Sequence, residues 1–177
     1  MGNISRIVIG PSRLATSVKS WMNRWSAAKD AASVNSGLNV LVVDDDVSHL
    51  DLASEILEKL GISAQLASNG SEAVRLACER RFDIILMDLQ MPLMDGLEAT
   101  FKLRQFEARD ARLRTPVVAF SASSVEMALL AASGMDGRLN KPCSVAELEA
   151  CLVRWCDGFQ PCSPLPDLRA GGGRGGG

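Results

Sequence analysis

Four short apolar runs in this chain each end on a polar group. Val40-Leu41-Val42-Val43 leads into Asp44-Asp45-Asp46, Ile84-Ile85-Leu86-Met87 into Asp88, Val117-Val118-Ala119-Phe120 into Ser121, and a weaker run from residue 137 to 140 into Lys141-Pro142. Runs this short, separated by helical patterns, read as buried strands of a parallel sheet. Residues just beyond the carboxyl ends of such strands gather along one edge, where ligands bind. Several acids, a hydroxyl and an amine are therefore expected in one small region.

From about residue 38 the strand-like and helical patterns alternate five times, which predicts an α/β fold with a doubly wound five-stranded parallel sheet. Strands are expected at 39–43, 62–67, 82–87, 116–120 and 137–140. The last is the weakest, because Gly137, Arg138 and Asn140 dilute it. A first helix over 47–60 carries Leu50, Ala53, Leu57 and Leu60 at helical spacing and stops at Gly61. Asn69 ahead of Glu72 predicts the cap of a second helix with Ala73, Val74 and Ala77 inward. A third follows Asp95-Gly96 with Leu97, Phe101 and Leu103 as its apolar positions, and a fourth spans about 124–133. Ser144 three residues before Glu147 is a capping box for a fifth helix, on which Leu148, Leu152 and Trp155 share a face.

The chain has 177 residues, enough for one domain with tails, and charges or turn residues interrupt every apolar run before the roughly 18–20 residues needed to span a bilayer. A net charge of −2 hides an asymmetry. Residues 1–29 carry Arg6, Arg13, Lys19, Arg24 and Lys29 and no acid, whereas residues 30–168 hold 12 basic and 21 acidic groups. An acidic globular domain lacks the electrostatic footprint for nucleic acid, so direct nucleic-acid binding is not expected.

Cys78, Cys143, Cys151, Cys156 and Cys162 form no CxxC pair, and the single histidine, His49, is far from them in sequence. Reduced thiols fit better than zinc ligation, with Cys78 and Cys151 packing as small apolar residues on helices. The stretch Arg104 to Arg114 mixes Arg104, Arg109, Arg112 and Arg114 with Glu107 and Asp110. It reads as a solvated helix end and loop rather than a phosphate-binding patch.

Carboxylates gathered at one sheet edge repel one another unless a cation neutralises them. Magnesium suits the purpose, since it takes hard oxygen ligands and is held by one or two carboxylates together with phosphate oxygens. Asp45 and Asp88 are the expected direct ligands, with Asp44 acting through water. A carboxylate beside such an ion can attack phosphorus. Lys141 and Ser121 would then stabilise charge on the transferring group. Taken singly each feature has a plainer reading: Asp46 as the cap of the first helix, Ser121 as a strand-end hydroxyl, Lys141 as a surface charge.

Together these residues resemble the receiver domain of two-component response regulators. Val42-Val43-Asp44-Asp45-Asp46 is similar to the family's acidic-pocket strand, and Asp88-Leu89-Gln90-Met91-Pro92-Leu93-Met94-Asp95-Gly96 to its phosphoacceptor loop. Phe120-Ser121-Ala122 resembles the switch strand, and Gly134 through Lys141-Pro142 the final strand and lysine. The resemblance covers about residues 38–156. It implies a flavodoxin-like receiver fold with strand order 2-1-3-4-5 and an Asp88 that takes a phosphoryl group from a sensor histidine kinase or a histidine phosphotransfer protein. It also implies Mg2+ held by Asp45, Asp88 and the backbone carbonyl of Gln90, a switch hydroxyl at Ser121, a phosphoryl-contacting Lys141, and a cis bond between Lys141 and Pro142.

Such a domain signals rather than turning over a substrate, catalysing only its own phosphorylation and dephosphorylation. Its expected switch is a shift in the surface made by the fourth helix, last strand and fifth helix, read by a downstream protein target. Relatives turn an aromatic residue of the last strand inward; here that position is Arg138. Gln90 and Ser123 occupy places that tune phosphoryl lifetime. His49 is expected on the exposed side of the first helix near the pocket mouth, as a solvated side chain. Two rivals stay open: a phosphorylation-independent pseudo-receiver, which Arg138 permits, and an aspartyl phosphohydrolase, which Gln90 disfavours by standing where a general acid would.

Leu14, Val18, Trp21, Met22, Trp25, Ala28 and Ala32 recur at helical spacing among Arg13, Lys19, Arg24 and Lys29, giving a basic amphipathic extension over residues 1–36. Packing on the domain or on a second copy, docking to an anionic membrane and a targeting role compete as its use. The expected organisation is this extension, a domain over 37–157 and a disordered Pro- and Gly-rich tail over 158–177. A cytoplasmic location is expected, with membrane-peripheral attachment as one use of the extension.

Overall fold

The computed structural model describes residues 37–123 and 125–161. The extension over 1–36 and the tail from 162 onward lie outside them. Five strands, β1 (Val40–Val43), β2 (Gln65–Ala67), β3 (Ile84–Met87), β4 (Val117–Ser121) and β5 (Gly137–Asn140), pair in parallel in the order β2-β1-β3-β4-β5. Five helices, α1 (Val47–Lys59), α2 (Gly70–Glu79), α3 (Gly96–Arg109), α4 (Met127–Ser133) and α5 (Val145–Trp155), follow the strands in turn.

β1, β3 and β4 are buried at every position, because both faces of the sheet are covered. Alternate residues feed two cores. Val40, Val42, Ile84, Leu86, Val118 and Phe120 pack beneath α1 and α5. Leu41, Val43, Ile85, Met87, Val117 and Ala119 pack beneath α2 and α3. β5 is an edge strand with Gly137 and Leu139 buried and Arg138 and Asn140 exposed, which explains its diluted sequence signal.

The helix starts follow local chemistry. The side chain of Asp46 accepts the Ser48 N–H at 2.8 Å, Asn69 accepts from Glu72 at 2.9 Å, and Asp95 accepts from Glu98 at 2.8 Å. Ser144 and Glu147 form the expected reciprocal box. Gly61 and Gly134 end α1 and α4 at φ 78° and 93°, a backbone region open to glycine.

Several expectations are corrected. β2 begins at Gln65 rather than 62, because the Ile62 N–H turns back to the Leu57 carbonyl and completes the stop of α1. β3 begins at Ile84 rather than 82, since Asp83 is engaged with the backbone of Asn39. Phe101 is 54% exposed; α3 instead buries Gly96, Ala99, Thr100, Leu103 and Glu107. Phe159, assigned to the tail, is buried in the core beneath α1 and α5.

Candidate functional site

The strand register fixes the site. Val43 lies opposite Met87, Met87 opposite Ala119, and Phe120 opposite Leu139, so Asp44, Asp88, Ser121 and Lys141 all emerge at the carboxyl edge. One oxygen from each of Asp44, Asp45 and Asp88 falls within a 4.8 Å cluster. Asp44 is 1% exposed and Asp88 7%, whereas Asp45 faces outward. Lys141, its side chain 7% exposed, is ion-paired to Asp44 Oδ2, and its Nζ lies 3.3 Å from Asp88 Oδ1. Two buried carboxylates therefore share one amine, and the third stands at the rim.

The two oxygens of Asp88 differ. Oδ1 accepts the Leu89 N–H at 2.8 Å and faces Lys141. Oδ2 accepts no hydrogen bond from the described residues, and no fully buried side-chain polar atom among them lacks a partner. Oδ2 is therefore the oxygen left open to solvent.

Asp44 Oδ1 accepts the Asp46 N–H at 3.0 Å, which aims its carboxylate into the cluster. Asp46 itself caps α1, and the Ser48 N–H and hydroxyl hold its carboxyl below the usual range. Ser121 is 2% exposed, and its hydroxyl accepts the Ser123 N–H at 3.3 Å. The Ser123 hydroxyl in turn donates to Gln90 Oε1 at 3.0 Å, so the loop after β3 and the loop after β4 are tied across the mouth. The peptide bond between Lys141 and Pro142 is cis.

His49 is not purely solvated. Its ring is half-exposed, yet Nδ1 sits 3.3 Å from Asp44 Oδ1, which makes it part of the wall of the acid cluster. The signal was present in the sequence, because a residue three positions past Asp46 in a helix that Asp46 caps faces back toward the sheet edge. Arg138 is exposed and donates to the Val125 carbonyl at 3.3 Å.

The arginine stretch is also corrected. Arg104 is largely buried and bridges Glu107 at 2.6 Å, Asp136 at 2.9 Å and the Gly134 carbonyl at 2.9 Å, while Arg114 joins it on Asp136 at 2.7 Å. Sequence spacing could not reveal this network, because Asp136 lies across the sheet edge.

All the oxygen donors of the cluster are hard carboxylates, three of them against one amine, and the outer one faces solvent. That donor set suits Mg2+, which binds through few carboxylates and retains water. Among the described residues it is the one group of side chains positioned to hold a metal ion.

The family model described as the response regulator receiver domain matches residues 40–153. Among curated proteins, hybrid signal transduction histidine kinase G of Dictyostelium discoideum is 38% identical over 122 residues, which is 67% of this chain and 4% of that protein. The chain thus spans a small part of the length of such relatives. Among solved structures, the receiver domain of sensor histidine kinase PA1611 from Pseudomonas aeruginosa PAO1, with a magnesium ion coordinated in its active-site cleft, is 34% identical. It superposes with a TM-score of 0.60 over 67% of this chain and 97% of that one. The co-crystal structure of the Saccharomyces cerevisiae histidine phosphotransfer signaling protein Ypd1 with the receiver domain of its downstream response regulator Ssk1 matches at 33% identity. Its TM-score is 0.63, over 67% of this chain and 88% of that chain. The family match runs from the first strand into the last helix and encloses the entire acid cluster, so the chain belongs to the response regulator receiver domains of two-component signalling.

Proposed function

We propose that Asp88 is the phosphoacceptor of a phosphorelay, taking a phosphoryl group from a phosphohistidine on a sensor histidine kinase or a histidine phosphotransfer protein. The observation that carries this reading is the open Oδ2 of Asp88 beside two further carboxylates, with Lys141 on the other oxygen. An Asp88 oxygen bonds to phosphorus as the phosphorus–nitrogen bond of the donor breaks, and the electron pair leaves with the imidazole nitrogen. Lys141 already holds an Asp88 oxygen and balances charge on the phosphoryl oxygens. Asp45, Asp88 and the Gln90 carbonyl would hold Mg2+, with Asp44 acting through water; the ion supplies charge neutralisation at the phosphoryl oxygens.

Once Asp88 carries the phosphoryl group, its oxygens would accept from the Ser121 hydroxyl and draw it inward, away from the Ser123 N–H it now accepts. Movement there pulls on the Ser123–Gln90 tie and on the segment leading into α4. The resulting change at α4, β5 and α5 would be read by a downstream protein. The domain would act in the cytoplasm and catalyse only its own phosphorylation and loss of phosphate. Asp88→Asn is expected to abolish labelling by acetyl phosphate with Mg2+, measured by intact mass; labelling at the wild-type level would show that the acceptor is elsewhere.

A second reading, a phosphorylation-independent interaction module, is favoured by Arg138, which replaces the inward-turning aromatic residue of the β5 switch and is anchored to Val125. Partner capture that is equal with and without beryllofluoride and Mg2+ would support that reading.

A further inference from the structure

A cavity of about 230 Å³ opens between α1 and the loop after β5, beside the carboxylate cluster, with His49 and the Lys141 already paired to Asp44 and Asp88 at its inner end. Leu52, Ala53 and Ile56 line it from α1, and Phe120, Pro142 and Cys143 line it from the sheet and loop; Leu52 is 47% exposed. Beside Leu52 on α1 lie Asp51, Glu55 and Glu58, all exposed, and none has an ion-pair partner among the described residues. Acids of α2 and α3 differ, since Glu72, Glu79 and Glu98 pair with cations of their own helices. An apolar groove flanked along α1 by exposed, unneutralised acids suits a basic amphipathic partner.

We infer that residues 13–32 of this same chain are that partner, seated by Leu14, Val18, Trp21, Met22 and Trp25 in the groove beside α1, with their cations toward Asp51, Glu55 and Glu58 of α1. Three observations favour this occupant. Residues 1–29 carry five cations and no acid. The described chain enters through Leu38, which packs on the same core as α1 and α5, so the preceding segment emerges on the groove side of the sheet. A helical stretch from Trp25 to Ala32 followed by an extended connection to Gly37 reaches roughly 27 Å, longer than the roughly 20 Å of the 13-residue α1.

Charge also decides against the other large groove, beneath α4, β5 and α5. Arg138 and Arg154 line it, while its acids are engaged, Asp136 by Arg104 and Arg114 and Glu147 by the α5 cap. A basic segment is repelled there.

The test is amide hydrogen exchange on the full chain, comparing wild type with Trp21→Glu/Trp25→Glu and, separately, with Leu52→Glu. Exchange in α1 is expected to quicken by roughly fivefold in the tryptophan variant, and exchange in residues 13–32 by a similar factor in the Leu52 variant. α2 and β3 serve as internal controls that the domain stays folded. Unchanged α1 exchange in the tryptophan variant overturns the proposal. Carbodiimide coupling of Lys19 or Lys29 to Glu55 in a mixture of light and nitrogen-15 chains tests the source of the segment. Same-chain pairs support it, and mixed pairs assign the groove to a second copy. Protection of residues 13–32 that appears only with anionic phosphatidylserine vesicles assigns the segment to membrane and overturns the proposal too.

Discussion

A Cβ built on Gly96 would lie 2.1 Å from the carbonyl oxygen of Asp88, so the residue that opens α3 also fixes the backbone beneath the central acid. Thr100 closes the same corner by donating its buried hydroxyl to the Gly96 carbonyl at 2.7 Å. Gly96→Ala is expected to cost about 1–3 kcal/mol in urea unfolding, since backbone and not a flexible side chain must move. Gly37→Ala, with open space around it, is the matched control and should leave stability within about 0.5 kcal/mol. The thiols give a second residue-level expectation. Burial pushes Cys151 to about 11 and Cys156 to about 12, against an ordinary value of 9.0. Between those limits the unfolded chain has released protons that the folded chain keeps. Stability is therefore full below pH 9 and falls as pH rises toward 11 and 12. Urea midpoints at pH 8 and pH 10 should show the fall, and Cys151→Ala/Cys156→Ala should reduce it by on the order of 1–3 kcal/mol.

Among the elements, α3 is held to the β4–β5 end of the sheet by charge as well as by packing. Asp136 accepts from Arg104, from Arg114 and from the Val117 N–H at 2.8 Å, so one carboxylate ties a helix, a loop and a strand. Asp136→Ala would strand the largely buried Arg104 and leave a strand donor unpaired. A loss of about 2–4 kcal/mol is expected, read from the thermal midpoint with intact far-ultraviolet helicity. This tie was illegible in the sequence, where Arg104 and Asp136 look like surface charges 32 positions apart. The elements themselves were legible. Asp46, Asn69, Asp95 and Ser144 mark four helix starts by capping chemistry that depends only on near neighbours. Phe101 shows the limit of periodicity: on α3 the apolar residue faces out, while Thr100 and Glu107 are buried because each finds a partner for its polar group. The positions of Asp44, Asp88, Ser121 and Lys141 could be read because a parallel sheet brings strand ends together whatever the loops do. The contact of His49 with Asp44 depends on the tilt of α1 as well as on the sequence.

For the molecule as a whole, an ion bound at the acid cluster would couple folding to divalent cation. Folding brings one oxygen each of Asp44, Asp45 and Asp88 within 4.8 Å, and Lys141, together with the Asp46 and Leu89 N–H groups, offsets part of their mutual repulsion. The unfolded chain has no such cluster, so an ion that binds it adds to the folding free energy by mass action. At Mg2+ a hundredfold above its dissociation constant the gain is about 2.7 kcal/mol, which for a domain of this size raises the thermal midpoint by roughly 5–10 °C. Sodium at matched ionic strength should give no comparable rise, because screening acts on exposed charges and two of these three acids are buried. Asp45→Asn separates coordination from repulsion. Removing that charge relieves crowding and should raise the midpoint slightly without Mg2+, yet it should erase most of the Mg2+-dependent rise, because Asp45 is the acid that faces solvent. A differential scanning calorimetry series in Mg2+ measures both effects. A midpoint rise that survives Asp45→Asn in full would mean that the ion is held elsewhere on the domain.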